Sequence, residues 1–211
     1  MTIRSTIFKN VSWIVLEKLS KGLLGLILLS QLSRYLGPEK YGVYVLIIGF
    51  FGIMSSFSGL GVDQILIDKL EYSKRKRLKI LFNSLYLKFF GFLIFALVAF
   101  LLMKFILDYD GSIIINFFII YTSIFFQNFN IFELYFNSQN NFSTPSVINI
   151  VSYIVAIGFS FFSIITSKSL SYFFFSFLLQ QIVYSTLIYI YFLKRFTPKK
   201  TENIKLSITI N

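Results

Sequence analysis

The sequence predicts an all-α integral membrane protein with six transmembrane helices and both termini in the cytoplasm. Of its 211 residues, 56% are hydrophobic and only 14% are charged, and the mean hydropathy is +0.74. Soluble domains carry about 25% charged residues. Six stretches have the ~20 mostly apolar residues that a bilayer-spanning helix needs. They are residues 13–33, 42–62, 85–107, 113–135, 147–166 and 171–193.

Lysine and arginine are distributed unequally between the two predicted sides of the membrane. If the spans alternate, thirteen of these residues lie in the two tails and the 63–84 loop, and four lie on the opposite side. Cationic loops stay on the cytoplasmic side, so we place both termini and the basic loop there. The Lys-Arg-Lys-Arg run at 74–77 is interpreted as a topology anchor that contacts anionic headgroups. The rest of the loop predicts a short amphipathic helix on the inner surface.

The composition excludes several kinds of chemistry. The chain has neither cysteine nor histidine, so it can form no disulfide, thiolate-metal or imidazole site. It has no glycine-rich phosphate loop, and its carboxylates are scattered along the chain. We therefore expect no enzyme, metal or cofactor, although a coupling ion (H⁺ or Na⁺) stays an open alternative. Nucleic acid is not an expected partner, because the positive-inside rule accounts for the net charge of +11.

Three charged residues interrupt the first span: Glu17, Lys18 and Lys21. Each charge near a helix centre costs ~2.5–3.5 kcal/mol on the insertion scale, whereas each large apolar residue returns only ~0.3–0.6 kcal/mol. This helix should therefore need protein partners or a hydrated cavity. Glu17 and Lys21 share one helical face with other polar residues. Two interpretations stay open: a cavity role for these groups, or a structural Glu17–Lys21 pair with Lys18 snorkelling to the cytoplasmic surface.

The fourth span carries a second polar stripe, which we expect to face helices or water rather than lipid. Within it, Glu133 lies near the cytoplasmic end and could instead sit among headgroups. Lys88 in the third span is expected to snorkel to the inner surface. The candidate cavity residues are Glu17, Lys18, Lys21, Arg34, Lys88, Gln127, Asn130 and Glu133, and the whole second stripe is Asn116, Ser123, Gln127, Asn130, Glu133 and Asn137.

Small residues recur along two further spans and predict close helix packing. The second span has Gly42, Gly49, Gly52, Ser56 and Gly59. The fifth span has Asn149, Ser152, Ala156, Ser160 and Ser163.

The turn between the first two spans resembles the R-x-L-G-P-x-x-[FY]-G-x-Y signature of the polysaccharide biosynthesis, or O-antigen flippase, family. The matching residues are Arg34, Leu36, Gly37, Pro38, Tyr41, Gly42 and Tyr44, followed by Gly59 and Gly61 in the segment Ser58 to Asp63. Gly37 and Pro38 should end the first helix. Tyr41 and Tyr44 are expected at the outer membrane interface.

The resemblance implies a place in a larger exporter superfamily whose members pack 12–14 helices into two lobes around a cavity that is often cationic. Its members move undecaprenyl- or other polyprenyl-diphosphate-linked oligosaccharides across the bacterial cytoplasmic membrane, for O-antigen, capsule or exopolysaccharide assembly. Residues 1–196 would then be the N-terminal lobe, of a truncated or split frame, and residues 197–211 a cytoplasmic linker toward a missing second lobe.

The expected partners are the lipid-linked oligosaccharide, membrane lipid, and a second lobe or a second copy of the chain. One alternative is an ion-coupled drug or small-molecule exporter of the same superfamily. Another is a membrane-bound polymerase or glycosyltransferase. A polymerase should carry a large outer loop with catalytic residues, and the predicted outer loops here are only a few residues long.

The charge asymmetry makes the topology testable. Reporter fusions at Lys76 and Lys200 should report a cytoplasmic location, and a fusion at Asp110 should report an external one. An external signal at Lys76 would overturn the predicted orientation.

Overall fold

The computed structural model describes the backbone of residues 3–72 and 77–196 and the side chains of residues 10–70 and 77–195. Within these ranges the chain is all-α and contains no strand, so the predicted fold class is confirmed. Five helices are long and apolar enough to cross a membrane, and the first of them, Asn10–Ser58, contains 49 residues. Residues 74–76 of the predicted basic run 74–77 and the tail 197–211 lie outside the described residues.

The first helix, α1 (Ile3–Ser58), contains both of the first two predicted spans. A straight 49-residue helix would be about 74 Å long, well over twice the ~30 Å of a hydrocarbon core. Gly37 interrupts it with φ 71° and ψ 173°, a left-handed conformation that glycine adopts without steric cost. Pro38 follows, in the first turn of the next helical segment, where its missing N–H costs nothing. We call residues 3–36 the first arm and residues 38–58 the second arm.

The remaining helices follow in short succession. They are α2 (Val62–Tyr72), α3 (Arg77–Leu101), α4 (Gly111–Gln127), α5 (Ile131–Asn137), α6 (Ser143–Ile165) and α7 (Ser171–Phe196). A π-helical turn, Leu102–Ile106, extends α3, and a 3₁₀ turn, Asn128–Asn130, joins α4 to α5. The fourth predicted span is therefore one nearly continuous helix, which the 3₁₀ turn interrupts near its predicted cytoplasmic end.

Several helix ends differ from the predicted spans, and two of them border the predicted 63–84 loop. The second arm ends at Ser58, four residues before the predicted end, because Leu60 and Gly61 adopt positive φ values of 50° and 64°. The third span begins at Arg77, eight residues before its predicted start. The predicted short amphipathic helix is α2, and its buried residues Leu66 and Leu70 pack in a cluster with α3 and α5.

The contacts between helices show how the spans alternate. The first arm and α6 run in the same direction, because three contacts follow one another along both: Asn10 with Asn140, Glu17 with Asn149, and Tyr35 with Lys168. By contrast, α3 and α4 run in opposite directions, as shown by Phe100 with Phe118, Phe92 with Tyr121, and Phe89 with Phe125. The end that holds Gly37 and the 166–170 turn is the predicted outer end.

Two apolar clusters fill the bundle. The cluster toward the Gly37 end joins the second arm, α4 and α7 through Tyr44, Phe117 and Phe174. The cluster toward the other end joins α2, α3, α5 and α7. Both clusters combine aliphatic side chains with aromatic rings. The edge and stacked contacts of the rings stabilise helix pairs beyond simple area burial.

The two stripes of small residues differ in how deeply they are buried. In α6, Ser152, Ala156, Ser160 and Ser163 are all buried, as the packing prediction requires. In the second arm, Gly42, Gly49 and Gly52 are exposed, and a Cβ added at any of them would meet nothing within 4 Å. The predicted close packing of the second span is therefore wrong for these three glycines in the described part of the chain.

Gly91 in α3 is a glycine that packing does require. A Cβ added there would collide with the backbone carbonyl of Ser58 and lie 3.0 Å from the Leu60 side chain. We expect Gly91→Ala to lower the free energy of unfolding by about 1–3 kcal/mol, as overpacking does. Thermal unfolding of the purified chain in detergent would measure the loss.

The matched control is Gly158→Ala in α6, where nothing lies within 4 Å of an added Cβ. That substitution should leave stability unchanged or raise it by up to about 1 kcal/mol, because alanine is the better helix former. Equal effects of the two substitutions would contradict the close approach of α3 to the end of the second arm.

Candidate polar site between the helices

Two charges of the first arm, Glu17 and Lys21, face the interior of the bundle, and Glu17 contacts α6. The Lys21 ammonium donates to the Glu17 carboxylate at 3.2 Å, and the Asn149 amide donates to the same oxygen at 2.7 Å. The side chains of Lys21 and Glu17 are 26% and 17% exposed. Lys21 also lies 5.9 Å from the ring centroid of Tyr153, within range of a cation–π interaction. The predicted pair is thus formed, and a neighbouring helix contributes to it.

A second carboxylate lies close to this pair. Glu133 of α5 accepts a hydrogen bond from the buried Tyr184 hydroxyl of α7. Asn137 also hydrogen bonds to Glu133, and the charges of Glu17 and Lys21 lie within electrostatic range of it. Glu133 therefore faces other helices of the bundle.

Lys88 does not snorkel, so that prediction is wrong. Its side chain is 3% exposed and forms an ion pair with Asp63 at the start of α2. Its ammonium also donates to the side-chain oxygen Oδ1 of Asn130 at 2.7 Å, and the Asn130 side-chain amide donates to the Asp63 carboxylate at 3.3 Å. The physical reason is that an anion and an amide are available within reach, so the ammonium is paired inside the bundle.

Three predicted candidates lie apart from both networks. Lys18, Arg34 and Gln127 are exposed. Lys18 nevertheless lies seven residues before Gly25 and eleven before Leu29, so the three occupy one side of the first arm. The structure thus brings together Glu17, Lys21 and Glu133 in one group and Lys88 with Asn130 in another.

A half-open cavity of about 210 Å³ lies beside the Glu17–Lys21 pair, between both arms of α1 and helices α6 and α7. Tyr153 belongs both to the cavity wall and to the surroundings of Lys21. Gly25 allows this arrangement, because a Cβ at that position would lie 2.8 Å from the Tyr153 hydroxyl. The wall is mainly apolar, and its lining is Gly25, Leu28, Leu29, Tyr44, Ile48, Tyr153, Ala156, Ile157, Ser160, Ser176, Phe177 and Gln180.

The motif around Gly37 has a structural role in the bundle. Tyr35 donates to the Lys168 carbonyl at 2.9 Å, which joins this turn to the turn before α7. Tyr44 is only 3% exposed and stacks on Phe174. The expectation that Tyr44 lies at the membrane interface is therefore wrong, because its ring fills the apolar cluster and lines the cavity instead.

Four residues of these networks are not predicted from the sequence: Asp63, Asn149, Tyr153 and Tyr184. In the sequence, Asn149 belongs only to a stripe of small residues, and Asp63 only to the end of a motif. The two tyrosines carry no signal in a chain with 13 Tyr and 28 Phe, because aromatic residues in an apolar span look like packing residues.

The Lys88 network can be tested by removing one partner. Lys88→Met leaves the Asp63 carboxylate and the Asn130 amide without their cation, so we expect the free energy of unfolding to fall by about 1–3 kcal/mol. The double substitution Lys88→Met with Asp63→Asn should recover part of this loss, because it removes the unpaired charge. Thermal unfolding in detergent measures both effects.

The control for this experiment is Lys104→Met, which changes an exposed lysine in the π-helical turn that extends α3. It should have little effect on stability. If Lys88→Met were no more destabilising than Lys104→Met, the ion pair would not hold α2 against α3.

Comparison with known proteins agrees with these observations. A family model described as polysaccharide biosynthesis protein matches residues 7–210. Searches of curated proteins and of solved structures gave no match. The family match supports a role in polysaccharide synthesis or export, and the five long apolar helices support several membrane crossings. The chain is a multi-pass membrane protein that belongs to the polysaccharide biosynthesis protein family.

Proposed function

We propose that this chain takes part in flipping a polyprenyl-diphosphate-linked oligosaccharide across the bacterial cytoplasmic membrane, as a transporter and not as an enzyme. The observation that carries the proposal is the Glu17–Lys21 pair, which lies within a membrane-spanning arm beside a half-open cavity. Family membership supplies the polysaccharide context. Intramembrane ionisable groups that face a bundle interior commonly mark a transport path.

The substrate class explains why a cation is needed at this depth. Moving an unpaired diphosphate through a dry apolar medium costs many kcal/mol. A transporter lowers this cost by offering a hydrated path with compensating positive charge. Lys21 is a described cation beside the cavity, because its ammonium lies 5.9 Å from the ring centroid of the cavity residue Tyr153.

Glu17 can control whether the charge of Lys21 is available to an anion. While Glu17 is ionised, it holds the Lys21 ammonium at 3.2 Å, and the positive charge is partly cancelled. Protonation of Glu17, or its binding of a coupling cation, removes that cancellation and leaves Lys21 available to an anion. In this proposal Glu17 is the coupling carboxylate and Lys21 contacts the diphosphate.

The proposal includes a partner, because the cavity is open on one side. A second lobe of the same kind, or a second copy of this chain, would close it and separate the sugar from lipid. Expression of the chain in a strain that lacks its flippase would test this point. Restored transport only on co-expression with a matching second lobe favours the two-lobe form, and full complementation by the chain alone favours a homodimer.

The site predicts a specific pattern of mutant activity, measured as outer-leaflet appearance of a lipid-linked oligosaccharide in vesicles that contain the complete assembly. Lys21→Ala should lower the flipping rate by more than about tenfold, as expected for loss of a charged contact. Lys21→Arg should retain part of the rate. Glu17→Gln should leave transport that no longer responds to an ion gradient. The control Lys104→Ala removes an exposed lysine outside the site and should keep the normal rate.

Membrane abundance separates this pattern from a structural role. If Lys21→Ala lowers abundance, and the double substitution with Glu17→Ala restores it, the pair is structural and the proposal fails. If the chain instead belonged to an exporter of small drugs, the assembly would also transport substrates that carry no diphosphate. The same vesicles can measure that transport.

A further inference from the structure

We propose that the groove between α2 and α3 binds an anionic phospholipid of the inner leaflet, with its phosphate group at Lys69 and part of one acyl chain between Ile65 and Leu87. The inference goes beyond the proposed function, because it concerns another face of the bundle and a lipid that is not transported. It assigns a lipid-binding role to the amphipathic helix α2.

Two contacts show that α2 runs antiparallel to the first half of α3. Near the end of α2, the Arg77 guanidinium donates from Nε to the Leu70 carbonyl at 2.9 Å. Near the start of α2, Asp63 forms its ion pair with Lys88. One end of the space between the two helices therefore lies level with Lys88, and the other end lies level with Arg77.

The space between the two helices is a groove of about 240 Å³. Its end near Lys88 is apolar, where Val62 and Ile65 of α2 lie opposite Leu87 of α3. Its other end holds Lys69 of α2. Ile65 and Leu87 are 56% and 49% exposed, so the groove opens on the outside of the bundle.

The depth of the groove matches the boundary between hydrocarbon and headgroups. The helical stretch Arg77–Ile106 has 30 residues and is about 45 Å long, whereas a hydrocarbon core is ~30 Å thick. With Ile106 at the predicted outer boundary of the core, the inner boundary falls about 20 residues earlier, near Leu87. The exposed neighbour Tyr86 is a residue type that is typical of this boundary. The apolar end of the groove then borders the hydrocarbon, and Lys69 lies at headgroup depth.

The net charge of this region favours an anionic headgroup. Residues 62–88 contain seven lysines and arginines and three acidic residues, Asp63, Asp68 and Glu71, so their net charge is +4. Asp63 is already paired with Lys88, and Asp68 does not line the groove. The cytoplasmic leaflet carries anionic lipids that attract basic segments close to the membrane.

Two exposed lysines are placed to contact the phosphate group. Lys69 lines the groove and has no ion-pair partner among the described residues. Lys79 precedes the groove residue Asn83 by four residues, so both lie on one side of α3. The Asn83 amide can donate a hydrogen bond to a phosphate oxygen. A phospholipid, which joins an anionic head to an apolar chain, complements both ends of this groove.

Photolabelling of the full chain in lipid nanodiscs tests this site. The probe is a phosphatidylglycerol that carries a diazirine near the head of one acyl chain, and mass spectrometry locates the labelled residues. The comparison probe is a phosphatidylcholine with the same acyl chain at the same mole fraction. The anionic probe should label groove residues of α2 and α3 at least about fivefold more strongly, because a lysine near the membrane surface favours anionic lipid by about that factor.

Substitutions of lysine test the charged contact. Lys69→Gln should lower groove labelling by phosphatidylglycerol about fivefold and leave labelling by phosphatidylcholine unchanged. Lys69→Arg should retain most of the labelling, because it keeps the positive charge. The matched control is Lys104→Gln, which removes an exposed lysine in the π-helical turn that extends α3, and it should leave labelling unchanged.

A matched pair of tryptophan substitutions tests the groove itself. Leu87→Trp fills the apolar end and should lower the labelling of α2 by phosphatidylglycerol several-fold, because the acyl chain loses its space. Leu93→Trp places the same indole at an exposed position of the same helix, outside the groove, and should leave labelling unchanged. Both variants keep a large apolar residue at a surface position, and thermal unfolding in detergent should confirm that their stabilities are equal.

Equal labelling of the groove by the two lipids would overturn the inference, because the groove would then be an ordinary lipid-facing crevice. Equal effects of Lys69→Gln and Lys104→Gln, or of the two tryptophan substitutions, would also overturn it. The same holds for label that is confined to residues outside the groove. The experiment measures no transport, so its result does not depend on the proposed function.

Discussion

A charge inside a bilayer is stable only where another polar group meets it, and this constraint determines how the helices of the chain pack. Glu17 meets Asn149, Lys88 meets Asp63 and Asn130, and Glu133 meets Tyr184. Each contact joins different helices, so each fixes both the rotation and the vertical position of one helix against another. An apolar side chain gains little free energy by moving from lipid to a neighbouring helix. The polar contacts therefore specify how the helices are arranged.

The two apolar clusters constrain the helices less specifically than the polar contacts do. Rings such as Phe117 and Phe132 are completely buried and fill space between helices, and many rotations of a Phe-rich helix would fill that space about as well. A hydrogen bond between Tyr184 and Glu133 can form in far fewer relative orientations of the two helices. The polar groups therefore select one packing among several, and the rings then stabilise it by contact area. The exchange of Phe for Leu should be tolerated more widely than loss of a polar partner.

The long apolar runs predicted the all-α membrane fold, the turn at Gly37 and the amphipathic α2, because helix period and turn residues are local properties. The end at Ser58 escaped prediction because it depends on Leu60, a residue that rarely adopts positive φ. Likewise, the i,i+4 spacing predicted the Glu17–Lys21 pair. The Lys88–Asp63 and Glu133–Tyr184 contacts join residues far apart in sequence, so only tertiary packing could show them.

The first arm carries the charged pair, but few of its side chains are buried. Within its residues 10–36, only Leu32 is fully buried, whereas Leu19, Leu23 and Leu26 are each more than 60% exposed. Polar contacts to α6 and the 166–170 turn hold much of the arm in place. An element with few buried contacts opens at low free-energy cost. Because Glu17 is both the acceptor for Asn149 and the partner of Lys21, a change in its charge would weaken the attachment of the arm at the same time as it frees the cation. Under the proposed function, substrate binding and movement of the arm would then depend on the same carboxylate.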